Sequence, residues 1–267
     1  MLIYYKKQGE ILGDITKKLS ADYSKISFIG RLDPMASGII AFTTNDECCN
    51  QNNLLHITKN YRFNLIIGIS TDTGDCLGKI KNIQNNFTNF KYDDIIKYFN
   101  NRCYLQEYPI YSSFKIRKNG MKKPLWYFAK NHINLLPSDI PKHMVYIHKL
   151  DYDPSQIFYI NNSNYFIEQI EKLPDGLDFR KEEIIQQYTN VNTEVIAVPM
   201  VAKVSGGTYI RKLCEDIGDK IGISCMADKI ERISYNFPVN AGIKEMEIRI
   251  DNYEDECLSG LQRKQVE

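Results

Sequence analysis

The sequence predicts an α+β fold with a mixed, mainly antiparallel sheet. Apolar runs of strand length are interspersed with segments of helical spacing, and the two do not alternate as regular βαβ units. The composition, 43% hydrophobic and 25% charged over 267 residues, is that of a globular chain long enough to bury a sizeable core.

Taken in order, Ile11 to Leu19 places apolar residues at Ile11, Leu12, Ile15 and Leu19, a helical spacing. Ile26 to Gly30 and Gly38 to Phe42 read as strands, with the loop Arg31 to Ser37 between them. A polar helix is expected from about Asp46 to His56. Tyr61 to Ile69 is the clearest strand, and the turn formers Thr71 to Asp75 follow it. Asp93 to Phe99 has amphipathic helical spacing, and Tyr108 to Lys123 reads as irregular. Pro124 is suited to open a helix at Leu125. Val145 to Leu150, Phe158 to Ile160 and Tyr165 to Ile170 read as strands, and Asp178 to Tyr188 as a helix. Val195 to Val204 is a long apolar strand running into Ser205, Gly206, Gly207 and Thr208. A helix follows to about Ile221, with Thr208 as its expected N-cap.

Several function classes are excluded at this level. Thirty-four Lys and Arg against 33 Asp and Glu give a net charge of +1, which singles out no partner. No run approaches the roughly 18 apolar residues of a membrane span, and Met1 to Glu10 lacks a secretory signal, so no membrane association is expected. Seven scattered cysteines without a CxxC point to reduced thiols in a cytoplasmic compartment. Four histidines (His56, His132, His143, His148) and no close Cys/His cluster argue against a structural metal.

Four stretches can carry chemistry. In Arg31-Leu32-Asp33-Pro34, a carboxylate sits on a loop between two apolar strands. Asp33 has two readings there, a catalytic group or an Asx-turn. In Lys59-Asn60-Tyr61-Arg62, a tyrosine beside two cations suits stacking on a base, or is a core strand residue with a wet hydroxyl. Gly206-Gly207-Thr208-Tyr209-Ile210-Arg211 suits an anion, with Arg211 able to pair with a carboxylate or phosphate, or is a plain strand-to-helix turn. Lys115, Arg117, Lys118, Lys122, Lys123 and Lys130, interleaved with Tyr111, Phe114, Trp126, Tyr127 and Phe128, combine cations for phosphates with aromatics for splayed bases. The alternative is a solvated loop whose aromatics return to the core.

Together these pieces resemble the TruB/dyskerin family of tRNA-type pseudouridine synthases. RLDPMASGII resembles the motif around the family's catalytic Asp, and KNYRFNLIIGISTDTGD its next motif. YPIYSSFKIRKNGMKKPLWYFAKN resembles its substrate-clamping region, and VSGGTYIRKLCEDIGDKIG its Gly–Thr–Tyr–Ile–Arg segment. Four motifs in order, over about residues 5 to 240, are far more specific than any one of them.

The resemblance implies an eight-stranded mixed sheet with a long cleft. It implies isomerisation of an RNA uridine to pseudouridine without cofactor or metal. Asp33 would be the nucleophile or base, Arg211 its ion-pair partner, and Tyr61 the residue that stacks on the base and joins in proton transfer. Tyr209, Lys59 and Arg62 would line the cleft, Lys115 would contact RNA, and Ile230 would flank the flipped base. Phe28 stands where the family usually has a His that opens the tRNA T-loop, and Arg31 replaces a small residue. The expected layout is a catalytic domain over 1–250 with a thumb-like RNA-contacting insertion at 108–132, and a short tail, 251–267, in place of a PUA domain. The expected substrate is the tRNA T-arm at U55, and the expected state a monomer. The alternatives are another RNA (rRNA, mRNA or a small RNA) or a catalytically weak tRNA-folding chaperone.

Overall fold

A computed structural model describes residues 1–85, 90–191, 194–238 and 245–249. The chain runs β1 (Leu2–Lys6), α1 (Leu12–Leu19), β2 (Ile26–Phe28), β3 (Ser37–Thr44), a 3-10 turn (Asn45–Asn50), α2 (Gln51–Leu54), β4 (Thr58–Ile67), β5 (Ile69–Thr71) and β6 (Ile80–Ile83). It continues through α3 (Tyr92–Phe99), β7 (Arg102–Glu107), β8 (Lys115–Lys118), β9 (Met121–Pro124), α4 (Leu125–Lys130), β10 (Lys142–Tyr152), β11 (Phe158–Ile160) and α5 (Asn164–Ile170). It closes with α6 (Lys181–Thr189), β12 (Val195–Val204), α7 (Ile210–Ile221), β13 (Cys225–Pro238) and β14 (Glu245–Arg249).

The main sheet has the order β1-β3-β13-β4-β12-β10-β7, with β2, β11 and β14 each paired to one strand off that path. Its pairings are antiparallel except that of β13 with β3, which is parallel. The predicted class therefore holds. Seven strands form the path and the three off it bring the sheet to ten, against the eight of the resemblance.

Alternation along β4 sets both faces. Lys59, Tyr61, Phe63, Leu65 and Ile67 are buried on one side, while Arg62 is exposed on the other. The first side packs against Leu12, Ile15 and Leu19 of α1, Ile95 and Phe99 of α3, and Ile210, Leu213, Cys214 and Ile217 of α7. These spacings of three and four residues lay each helix's apolar stripe on the sheet. On the other side, Ile66 and Met226 meet Phe166 and Ile170 of α5 and Ile184 and Tyr188 of α6. Among the described residues no helix is long and apolar enough to cross a membrane.

Four local expectations need correction. Tyr165 to Ile170 is the helix α5, because Phe166 and Ile170, four apart, bury on one side and the Asn162 side chain accepts the Asn164 N–H at 2.9 Å. The N-cap of α7 is Tyr209, since Thr208 instead turns its hydroxyl to the Ser205 carbonyl at 2.9 Å. The polar stretch 46–56 splits into the 3-10 turn and one turn of α2. The supposedly irregular 115–124 is a β8–β9 hairpin whose turn residues Asn119 and Gly120 have φ of 50° and 75°. Asn-Gly is the sequence signal for such a turn.

Candidate active site

The loop between β2 and β3 is sunk into the fold by Leu32, Met35 and Ala36, each buried. A turn in which the Ala36 N–H donates to the Asp33 carbonyl at 3.0 Å lifts the Asp33 side chain to the surface, where it stays 30% exposed. Beneath the loop, the Lys6 ammonium is fully buried and donates to the carbonyls of Pro34 at 3.1 Å and Ala36 at 2.6 Å. Burial pulls the Lys6 pKa down to about 8, with the Glu10 and Asp33 carboxylates acting against it.

Arg211 comes from the first turn of α7, with only 4% of its side chain exposed. Its Nε donates to Asp33 Oδ2 at 2.8 Å. Nη1 donates to the Thr73 carbonyl, and Nη2 to the Tyr111 carbonyl at 3.2 Å. Asp75 Oδ2 lies 3.7 Å from Nε on the buried side. Burial alone would lower the guanidinium's pKa, but Asp33 and Asp75 outweigh it and hold the charge. Burial raises the Asp75 pKa, against the pull of Arg211 and of the Thr73 hydroxyl at 2.7 Å. One cation is thus shared by two carboxylates, and only Asp33 reaches solvent appreciably.

Two cavities meet at this ion pair. A cavity of about 480 Å³ is lined by Asp33, Arg211, Tyr61, Tyr209, Lys59 and Ile230, among others. A second, of about 390 Å³ and more apolar, reaches Asp33 and Arg211 from the side of Leu12, Leu77, Tyr111 and Trp126. Tyr61 is 6% exposed on β4. Tyr209 is fixed through its backbone: its N–H donates to Gln106 Oε1 at 2.9 Å and its carbonyl accepts from Gln106 Nε2 at 3.3 Å. Burial pushes the Tyr209 hydroxyl up to about 12. Lys59 is 3% exposed and donates to the Leu55 and Ile57 carbonyls at 3.3 and 3.0 Å. Burial, with Arg232 nearby, lowers its pKa to about 7.

Asp33, Arg31, Lys59, Tyr61, Tyr209, Arg211 and Ile230 therefore converge on one cavity. Three expected residues stand apart from it. Phe28 is half-buried behind the loop, with the Arg31 guanidinium 5.1 Å over its ring. Arg62 points to the opposite face of the sheet from Tyr61, as strand alternation demands, and its Nε pairs with Glu231 at 3.3 Å. Lys115 is exposed on the β8–β9 hairpin, although its neighbour Phe114 does reach the cavity. Sequence reasoning left out Lys6, Gln106 and His143, and read Asp75 only as a turn former. His143 stands between Tyr108 and the Gly207 carbonyl, which its Nε2 meets at 3.0 Å. No spacing in the sequence marks these residues, which meet only through the sheet. Among the described residues, no group of three or more His, Cys, Asp or Glu is arranged to hold a metal ion.

Comparison with known proteins bears on the family of the chain. The profile of the TruB family pseudouridylate synthase N-terminal domain matches residues 17–160. A tRNA pseudouridine synthase B of Clostridium perfringens is 27% identical over 258 residues, covering 95% of this chain and 71% of its own length. One from Wigglesworthia glossinidia brevipalpis is 29% identical over 224 residues, covering 83% of this chain and 54% of its own. Among solved structures, a chain of a Cbf5-Nop10-Gar1 complex is similar at 14% identity and a TM-score of 0.48, covering 88% of this chain and 49% of that one. With its family profile running through the Asp33 loop and the Tyr61 strand, the chain belongs to the TruB family of pseudouridylate synthases.

Proposed function

We propose that this protein isomerises a uridine of tRNA to pseudouridine, with U55 of the T-loop as its target. The observation that carries the reading is the Nε–Oδ2 contact of 2.8 Å between Arg211 and Asp33, at the junction of two cavities. Asp33 serves as nucleophile or base to detach the uracil from C1′, and the base rejoins through C5. A carboxylate suits this step because it is a stable anion that can leave again. Arg211 pairs with it and aims it. Tyr61 stacks on the extruded base and Ile230 flanks it, offsetting part of the unstacking cost of a few kcal/mol. Arg31, Lys59 and Tyr209 line the approach. The 108–132 insertion, with its exposed cations, contacts the RNA backbone, while Phe28 acts through the Arg31 side chain it supports.

The experiment is release of tritium from tRNA transcripts carrying uridine tritiated at C5, with wild type and Asp33→Asn side by side. Isomerisation must expel the C5 hydrogen. Release by wild type alone is the expected result. Tight T-arm binding with no release by wild type would favour a tRNA-folding role instead, and release only from another RNA would move the target.

A further inference from the structure

Among the described residues, Arg232 on β13 has the largest side chain that is fully buried. A buried cation without a counter-ion is costly, and an apolar side chain of similar volume would avoid that cost. Among the described residues no carboxylate pairs with it, and its partners are of another kind. Nε donates to the Ile39 carbonyl at 2.8 Å and Nη2 to the Gly30 carbonyl at 3.2 Å. Nη1 lies 3.5 Å from the Tyr61 hydroxyl, and the guanidinium sits 4.7 Å over the Tyr235 ring. Gly30 and Ile39 bracket the segment that carries Asp33. The backbone of Arg232 also pairs with Gly38, so closely that a Cβ on Gly38 would lie 2.3 Å from the Arg232 carbonyl oxygen.

We propose that Arg232 is a positioning residue for the isomerisation. Its planar fork ties both ends of the Asp33 segment and the Tyr61 hydroxyl to one rigid group on β13. The separation between the carboxylate and the stacking ring is thereby set by the strand rather than by the loop. A lysine keeps the charge but lacks the fork that reaches three acceptors at once. The proposal rests on the function given above, and Arg232 itself need not touch substrate.

The test compares wild type with Arg232→Lys and Arg232→Met for kcat and KM on tRNA, for melting temperature, and for amide hydrogen exchange. Arg232→Lys is expected to fold and to lose about 100-fold in kcat, the scale of a misplacement near 1 Å, with KM nearly unchanged. Amides of residues 29–41 should exchange faster, with those of α7 and β12 unaltered. A folded Arg232→Lys with wild-type kcat overturns the proposal. So does a loss of protection spread evenly over the sheet, which marks a purely structural role. If neither substitution folds, Arg232→Gln decides. It keeps an amide donor on a shorter, uncharged side chain, and should lower kcat without raising KM; a folded Arg232→Gln with wild-type kcat overturns the proposal. An inactive wild type would count against the function above, and the exchange comparison would still report on Arg232.

Discussion

Arg211 makes contacts in four directions, to Asp33, Asp75, Thr73 and Tyr111. Lysine keeps one charge there but no fork, so Arg211→Lys should lower kcat by about 100-fold while leaving RNA affinity within a few-fold. Single-turnover kinetics and filter binding would separate the two, and a loss confined to affinity would contradict the placement. Tyr61→Phe should slow turnover but spare binding, because stacking survives and the hydroxyl is lost. Lys59 makes a different prediction. Its folded pKa, about 7, lies below its ordinary value of 10.5, so between those limits the unfolded chain binds more protons. Stability of wild type relative to Lys59→Met should therefore rise as pH goes from 7 to 10, and be at its poorest below pH 7. A urea titration of both proteins at several pH values reads this directly. A pH-independent difference would mean that the ammonium is not buried in solution.

At the scale of elements, the β8–β9 hairpin presents cations to solvent. Lys115, Arg117, Lys122 and Lys123 are exposed on it, whereas Lys118 is tied to Asp139 and Lys130 to Asp178. Alanine at Lys115, Arg117 and Lys122 together should reduce the slope of log affinity against log salt by about 2 to 3. An unchanged slope would remove the hairpin from the RNA contact. The elements also show what the sequence could tell. The strands β4 and β12 and the helices α1 and α7 were legible, because long apolar periodicities survive any tertiary context. The helix α5 was not, since six residues with only Tyr165, Phe166, Ile167 and Ile170 apolar fit a strand as well as a buried helical turn. The hairpin was missed although Asn119-Gly120 marks it, because Pro109, Gly120 and Pro124 were read as marks of an irregular stretch. Asp33, Tyr61 and Arg211 were readable through motifs. The outward turn of Arg62 was readable from alternation along β4 and was overlooked.

At the scale of the molecule, the site is assembled from both ends of the chain. Lys6 supports the Asp33 loop from β1, Arg211 reaches it from α7, and β13 lies between β3 and β4. Such long-range joining is invisible to local pattern, which is why Lys6 and Gln106 escaped notice. It also makes the sheet one cooperative unit. A chain ending at Ile221 would leave β3 and β4 with open edges, and should be insoluble or lack a cooperative thermal transition by circular dichroism. A soluble, cooperatively melting truncation would show that β13 is dispensable.

The second carboxylate at Arg211 has a further consequence. With both carboxylates ionised, Arg211, Asp33 and Asp75 together carry one net negative charge. When Asp33 is neutralised, whether by bonding to carbon, by taking a proton or by substitution with Asn, the remainder is electroneutral. Asp75 then acts as a resident counter-ion, and the buried guanidinium is never stranded. Asp33→Asn should accordingly fold with near wild-type stability, which makes it a sound inactive control. Adding Asp75→Asn should cost more than either change alone, because the buried cation then has no carboxylate in ion-pair contact and Glu215 acts on it only at longer range.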